Sequence, residues 1–129
     1  MTHRYLSLSE AESKVVSGRS VECFLGACKR GEASGVRWLS VRLSPDKNFV
    51  QLRRYDTADL GTNEYVDVYE FGPLDRTLEA DEADEMLQFD EFSDLWAAME
   101  RLYPSSTARL VNQGVIQDEY RHFKTGREA

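Results

Sequence analysis

Val36-Arg37-Trp38-Leu39-Ser40-Val41-Arg42-Leu43, Ser44-Pro45-Asp46-Lys47-Asn48 and Phe49-Val50-Gln51-Leu52-Arg53-Arg54-Tyr55 follow one another in the chain, and their reading decides the fold. The outer two segments are short runs rich in β-branched, aliphatic and aromatic side chains, the composition of strands. The middle one has turn chemistry and is too short to hold a crossover helix, so the two strands must pair antiparallel. Within the first run Leu39, Val41 and Leu43 alternate with Trp38, Ser40 and Arg42. One face of the sheet is therefore apolar, while the other mixes rings and charges.

Outward from this hairpin, residues 21–27 and 65–71 have the same strand character. Residues 31–35 and 57–63, rich in Gly, Asp, Asn and Thr, link them by connections again too short for a crossover. A four-stranded antiparallel meander is expected. Ser9-Glu10-Ala11-Glu12 has the pattern of a capping box and precedes Val15 and Val16, which predicts a short N-terminal helix ending near Gly18. Beyond Phe71-Gly72-Pro73 the period changes. Asp90 stands as an N-cap before Phe92, Leu95, Trp96, Met99, Leu102 and Tyr103, a helical stripe that Pro104 stops. Residues 115–124 predict a last helix with Ile116, Tyr120 and Phe123 on one side. The two C-terminal helices are expected to cover the apolar face, giving a two-layer α+β domain.

The chain has 129 residues and 14.8 kDa, of which 41% are hydrophobic and 30% charged, with 8 Gly and 3 Pro. That length suits one globular domain spanning residues 1–129, and the composition excludes disordered, collagen-like and membrane-spanning classes. No stretch has the apolar run of a signal peptide or a membrane span, so a cytoplasmic location is expected. Cys23 and Cys28, five residues apart, are expected on opposite strand faces, unable to pair or to chelate together.

The net charge of −7 conceals a sharper segregation. Residues 1–55 hold ten Lys or Arg against five Asp or Glu, residues 56–100 one against fifteen, and residues 101–129 five against three. In the acidic block, Glu79-Ala80-Asp81-Glu82-Ala83-Asp84-Glu85 carries five carboxylates in seven residues. Such a run is a solvated loop or fraying helix, or an anionic face for a cationic partner. It lacks the ligand spacing of a calcium loop. A net anion meets repulsion from phosphate, which disfavours direct nucleic-acid binding.

Catalytic patterns are sparse. There is no nucleophile elbow, no phosphate-cradling glycine pattern and no Cys or Ser with an activating base beside it. Asp118, Glu119 and His122 share a helical side, yet the chain's other histidine is His3, so an ion pair is expected there rather than a metal site. Asn112 and Gln113 precede the last helix and suit its free backbone groups. The chain is accordingly expected to be no enzyme and to need no metal or cofactor. In organisation alone, an acidic α+β domain without catalytic groups, it resembles bacterial immunity proteins that neutralise cationic nuclease toxins. That resemblance implies a protein partner and transfers no residue.

Two binding surfaces follow. The first is an acidic face of Asp81, Glu82, Asp84, Glu85, Asp90 and Glu91, with Leu87 and Phe89 at its rim, docking a cationic protein such as a nuclease. The alternative is a sheet face bearing Trp38, Arg42, Arg53, Tyr65 and Tyr69, suited to sensing a small ligand, because Trp, Tyr and Arg bury much area while keeping a polar end. Strand register decides whether those five side chains meet.

Overall fold

The computed structural model describes residues 5–61, 67–75, 77–79 and 82–125. Its elements are α1 (Leu8–Val16), β1 (Val21–Arg30), β2 (Ala33–Leu43), β3 (Val50–Ala58), β4 (Glu85–Phe89), α2 (Phe92–Leu102), β5 (Val111–Asn112) and α3 (Ile116–Thr125), with 3-10 turns at Val68–Glu70 and Ser106–Ala108. All strands form one antiparallel sheet in the order β4-β3-β2-β1-β5. The α+β class and the meander are as expected. Among the described residues no helix is long and apolar enough to cross a membrane.

The fourth strand is not the one its sequence suggests. Within residues 65–71, Tyr65 and Val66 lie outside the described residues, and Val68–Glu70 turns as a 3-10 helix. Asp67 causes this locally: its carboxylate accepts from the Tyr69 N–H at 3.2 Å, and a short side chain bonding two residues on competes with extension. The place beside β3 is taken by Glu85–Phe89, whose Leu87 and Phe89 pack against the core. Those two residues therefore face inward rather than forming the rim of an acidic surface. Residues 72–74 continue the same edge: Ala58 N–H donates to Gly72 O, and Leu74 N–H to Asp56 O. The acidic run is thus an excursion between two segments that both pair with β3.

Register explains the two sides of the sheet. Leu39 and Val41 of β2 and Val50 and Leu52 of β3 share one face with Cys23, and there α1 and α2 supply Ala11, Val15, Leu95, Trp96 and Met99. Phe24, Val36, Trp38 and Tyr55 lie on the opposite face, where α3 supplies Ile116 and Tyr120 and the turn supplies Val68 and Phe71. The last helix thus crosses to the face that α2 does not cover. The side chains follow the split: Phe24, Trp38 and Tyr55 of β1 to β3 point away from Cys23, Leu39, Val41, Val50 and Leu52, and Tyr120 of α3 meets Phe24 edge-on.

Two local readings move. The capping box is Ser7 with Glu10, not Ser9 with Glu12: Ser7 Oγ accepts from Glu10 N–H at 3.1 Å and Glu10 Oε1 from Ser7 N–H at 2.8 Å. Starting there lets Leu8 pack against the core. The N-cap of α2 is Glu91, which makes no side-chain capping bond, rather than Asp90. In β1 the register slips between Phe24 and Gly26, whose φ of +109° suits glycine. This bulge returns Cys28, opposite Gly35, to the face of Cys23, opposite Leu39. The two thiols remain apart, four β2 residues being about 13 Å. Burial pushes the Cys23 thiol up to about 12, and burial also raises that of Cys28.

Candidate functional site

Face by face, α3 covers only part of its side of the sheet. It packs over β1 and the Trp38 end, and leaves Glu22, Arg42 and Arg53 around a cavity of about 240 Å³. Trp38, Tyr55, Val68, Tyr69, Pro73 and Gln113 line its walls, and Asp56, Glu82 and Asp84 complete the lining.

The aromatic wall is built from the hairpin outward. Trp38 and Tyr55 are register partners, and their rings stack with centroids 4.4 Å apart at 15°. Trp38 Nε1 donates to Thr57 Oγ1 at 3.0 Å, which satisfies the indole of a residue only 5% exposed. Tyr69 meets Trp38 edge-on at 5.5 Å and is 39% exposed, so it presents its ring to the opening. Gln117 of α3 holds the Tyr69 turn in place, accepting from Val68 N–H at 2.9 Å and donating to Asp67 at 3.1 Å.

Glu22 is the unexpected member. It is 1% exposed, accepts from the Tyr69 hydroxyl at 2.6 Å and from Gly114 N–H at 3.3 Å, and lines the cavity. Burial raises its carboxyl above the ordinary range, opposed by the Tyr69 and Gly114 bonds and by the charge of Arg42. Burial, with the Glu22 charge, likewise raises the Tyr69 hydroxyl. Sequence reading passed over Glu22; its signal was a lone carboxylate inside the apolar run Val21-Glu22-Cys23-Phe24.

A pH dependence follows. Between 4.5, the ordinary value, and its raised one, Glu22 stays protonated in the folded protein while the unfolded chain is ionised. Unfolding then releases a proton, so this group's contribution falls as pH rises through that window. Asp84, also raised mainly by burial, acts in the same direction. Urea unfolding from pH 4.5 to 7 should therefore show Glu22→Gln gaining on the wild type as pH rises; parallel curves would remove Glu22 from the account.

The cavity gathers four residues of the aromatic and arginine set, Trp38, Arg42, Arg53 and Tyr69, and the fifth, Tyr65, lies outside the described residues. Of the six carboxylates, the five that are described are dispersed. Asp81 lies outside the described residues, and Glu82 is exposed, accepting from Glu79 N–H at 3.0 Å. Asp84 is turned inward, accepting from Asp56 N–H at 2.7 Å and from Arg30 at 3.3 Å. Glu85 is 3.5 Å from Arg54, and exposed Asp90 and Glu91 follow the far end of β4, a strand's length of about 17 Å away.

Elsewhere, Asp118 pairs with Arg121 at 3.6 Å, a residue outside the set expected to pair, while Glu119 is buried and accepts from the Tyr5 hydroxyl at 3.2 Å. Asn112 joins β5, and its carbonyl accepts from Val115 N–H ahead of α3. Among the described residues no group of three or more His, Cys, Asp and Glu is placed to hold a metal ion. No family model, curated protein or solved structure matches the chain.

Proposed function

We propose that the protein is a small-ligand-binding domain, without catalysis of its own, whose site is the cavity between β1, β2 and β3 and the Tyr69 turn. The observation that carries this reading is the convergence of Trp38, Arg42, Arg53 and Tyr69 on one concave surface. Concavity with a few convergent polar groups is what small-molecule sites share. The size, about 240 Å³, lies just below the range of about 300–1,000 Å³ for drug-sized ligands and suits a small metabolite.

A second reading keeps Glu85, Asp90 and Glu91 as an exposed anionic edge along β4 for a cationic protein. It is favoured by their exposure and by β4 lying at the sheet edge. One titration separates the two. With Trp96→Phe as background, Trp38 is the sole indole, and a metabolite panel should give at least one compound that raises the melting temperature and shifts its emission. A silent panel, with salt-sensitive binding of a lysine-rich peptide instead, would replace the pocket reading by the acidic one.

A further inference from the structure

The strands carry five arginines, and three of them are spoken for. Arg37 grips both oxygens of Asp56 at 2.7 and 3.0 Å, Arg30 reaches Asp84 at 3.3 Å, and Arg54 lies 3.5 Å from Glu85. Arg42 and Arg53 differ. Among the described residues neither has a carboxylate within ion-pair distance. Arg42 donates through Nε and Nη2 to Ser40 Oγ at 3.2 and 2.8 Å, and Arg53 does the same to Gln51 Oε1 at 3.0 and 2.8 Å. Each guanidinium thus spends two of its five N–H donors on a neutral oxygen that fixes its plane, and keeps the others.

Their placement compounds this. Arg42 pairs with Gln51 and Ser40 with Arg53, so the two arginines are diagonal neighbours on one face. Diagonal positions are about 7–8 Å apart, a separation at which long side chains reach one another and like charges repel. Glu22 is also diagonal to Arg42, through its pairing with Ser40, but its carboxylate is already engaged by Tyr69 and Gly114. Two pre-oriented cations side by side at the floor of a cavity form a receptor for one oxyanion, because planar guanidiniums bind carboxylate and phosphate through paired N–H donors.

The remaining walls restrict the rest of the ligand. Beside the cations stand the exposed Tyr69 ring and the edge of the Trp38 and Tyr55 stack, which suit a flat apolar body. The opposite side carries the exposed Glu82, whose carboxylate would repel a second anionic group such as the tail of a polyphosphate, while the carboxylates of Asp56 and Asp84 are engaged by arginines. Resting on the ligand-binding reading above, we infer that the site takes a small planar, ring-bearing molecule with a single oxyanion group, carboxylate or phosphate monoester, held between Arg42 and Arg53.

Calorimetric titration with benzoate, phenyl phosphate, inorganic phosphate, benzyl alcohol and benzylamine tests it. Benzoate or phenyl phosphate should bind, whichever is tighter naming the oxyanion, and inorganic phosphate should bind at least roughly tenfold more weakly than phenyl phosphate for want of the ring. Arg42→Met and Arg53→Met should each weaken the anion by roughly tenfold or more, and Arg42→Lys by less. Arg53→Met should melt close to the wild type, since only a neutral partner is lost, whereas Arg42→Met also removes the charge beside buried Glu22 and should be compared at a temperature where it is fully folded. Equal or tighter binding of benzyl alcohol or benzylamine would overturn the inference while leaving a ligand site in place. So would anion affinity unchanged in a folded Arg42→Met, Arg53→Met double variant, or inorganic phosphate matching phenyl phosphate. No binding by any of the five would overturn the inference, and a broad panel that also stays silent would take the ligand-binding reading with it.

Discussion

Asp56→Ala should lower the unfolding free energy by about 3 kcal/mol, the low end of what breaking a buried ion pair costs. Asp56 is 4% exposed and sits among three guanidiniums: Arg37 at 2.7 Å, Arg54 at 3.7 Å and Arg30 at 3.8 Å. Deleting it leaves cations crowded without the anion that holds them, and the loss exceeds the worth of any single surface pair. The low end applies because the three arginines are partly hydrated, which lets water recover some of the charge. The effect should not stay local. Asp84 reaches into the same cluster through Arg30, so the acidic excursion is anchored by the charges that Asp56 organises. Urea unfolding of Asp56→Ala, Arg37→Ala and the double variant should give a coupling energy well above zero; additive losses would show that the cluster does not act as a unit.

The second large effect involves no charge. A Cβ at Gly35 would lie 2.6 Å from the Thr57 carbonyl oxygen and 2.8 Å from Leu74 Cδ2. The Thr57 oxygen is backbone of β3 and cannot yield, whereas the Leu74 methyl is the end of a half-buried side chain and can turn away. Gly35→Ala must therefore part β2 from β3, at a cost within the about 1–3 kcal/mol typical of overpacking. Trp38 and Arg42 of β2 and Arg53 and Tyr55 of β3 line the cavity, so the same substitution should also weaken ligand binding. Ser34→Ala, exposed and one residue away, is the control and should stay within about 0.5 kcal/mol of the wild type. A melting temperature unchanged in Gly35→Ala would show that the strands accommodate the methyl group.

The central hairpin was legible because alternation and turn chemistry agreed there, and apolar stripes at helical spacing located α2 and α3 in the chain, though not the face of the sheet that α3 covers. Glu85–Phe89 was not, since its five residues lie inside a stretch whose charge dominates any composition window. Its alternation of Leu87 and Phe89 with Met86 and Gln88 is visible only once β3 is known to need a partner. Tyr69 misled in the opposite way, because β-prone residues flank an Asp67 whose side chain turns the backbone. The bulge at Phe24 and Gly26 inverted the expected relation of the two cysteines, and glycine in a strand was its only trace. Of the site, the Trp38, Arg42, Arg53 set could be assembled from parity along two strands. Glu22 could not, because its role depends on Tyr69 and Gly114, which are distant in sequence.

Tyr5 donates to Glu119 across 114 residues, and Leu6 bridges Leu110 beside the short pairing of β5 with β1. In kinetic terms the molecule has a fast half and a slow seam. The β1–β2 and β2–β3 hairpins close loops of a few residues, whereas the seam must bring together segments from opposite ends of the sequence, and loop-closure entropy opposes such contacts until most of the fold exists. Assembly thus runs from the hairpins outward, with the seam closing late. Glu119 of α3 belongs to that seam, so the helix whose approach completes the cavity docks only as the two ends of the sequence meet.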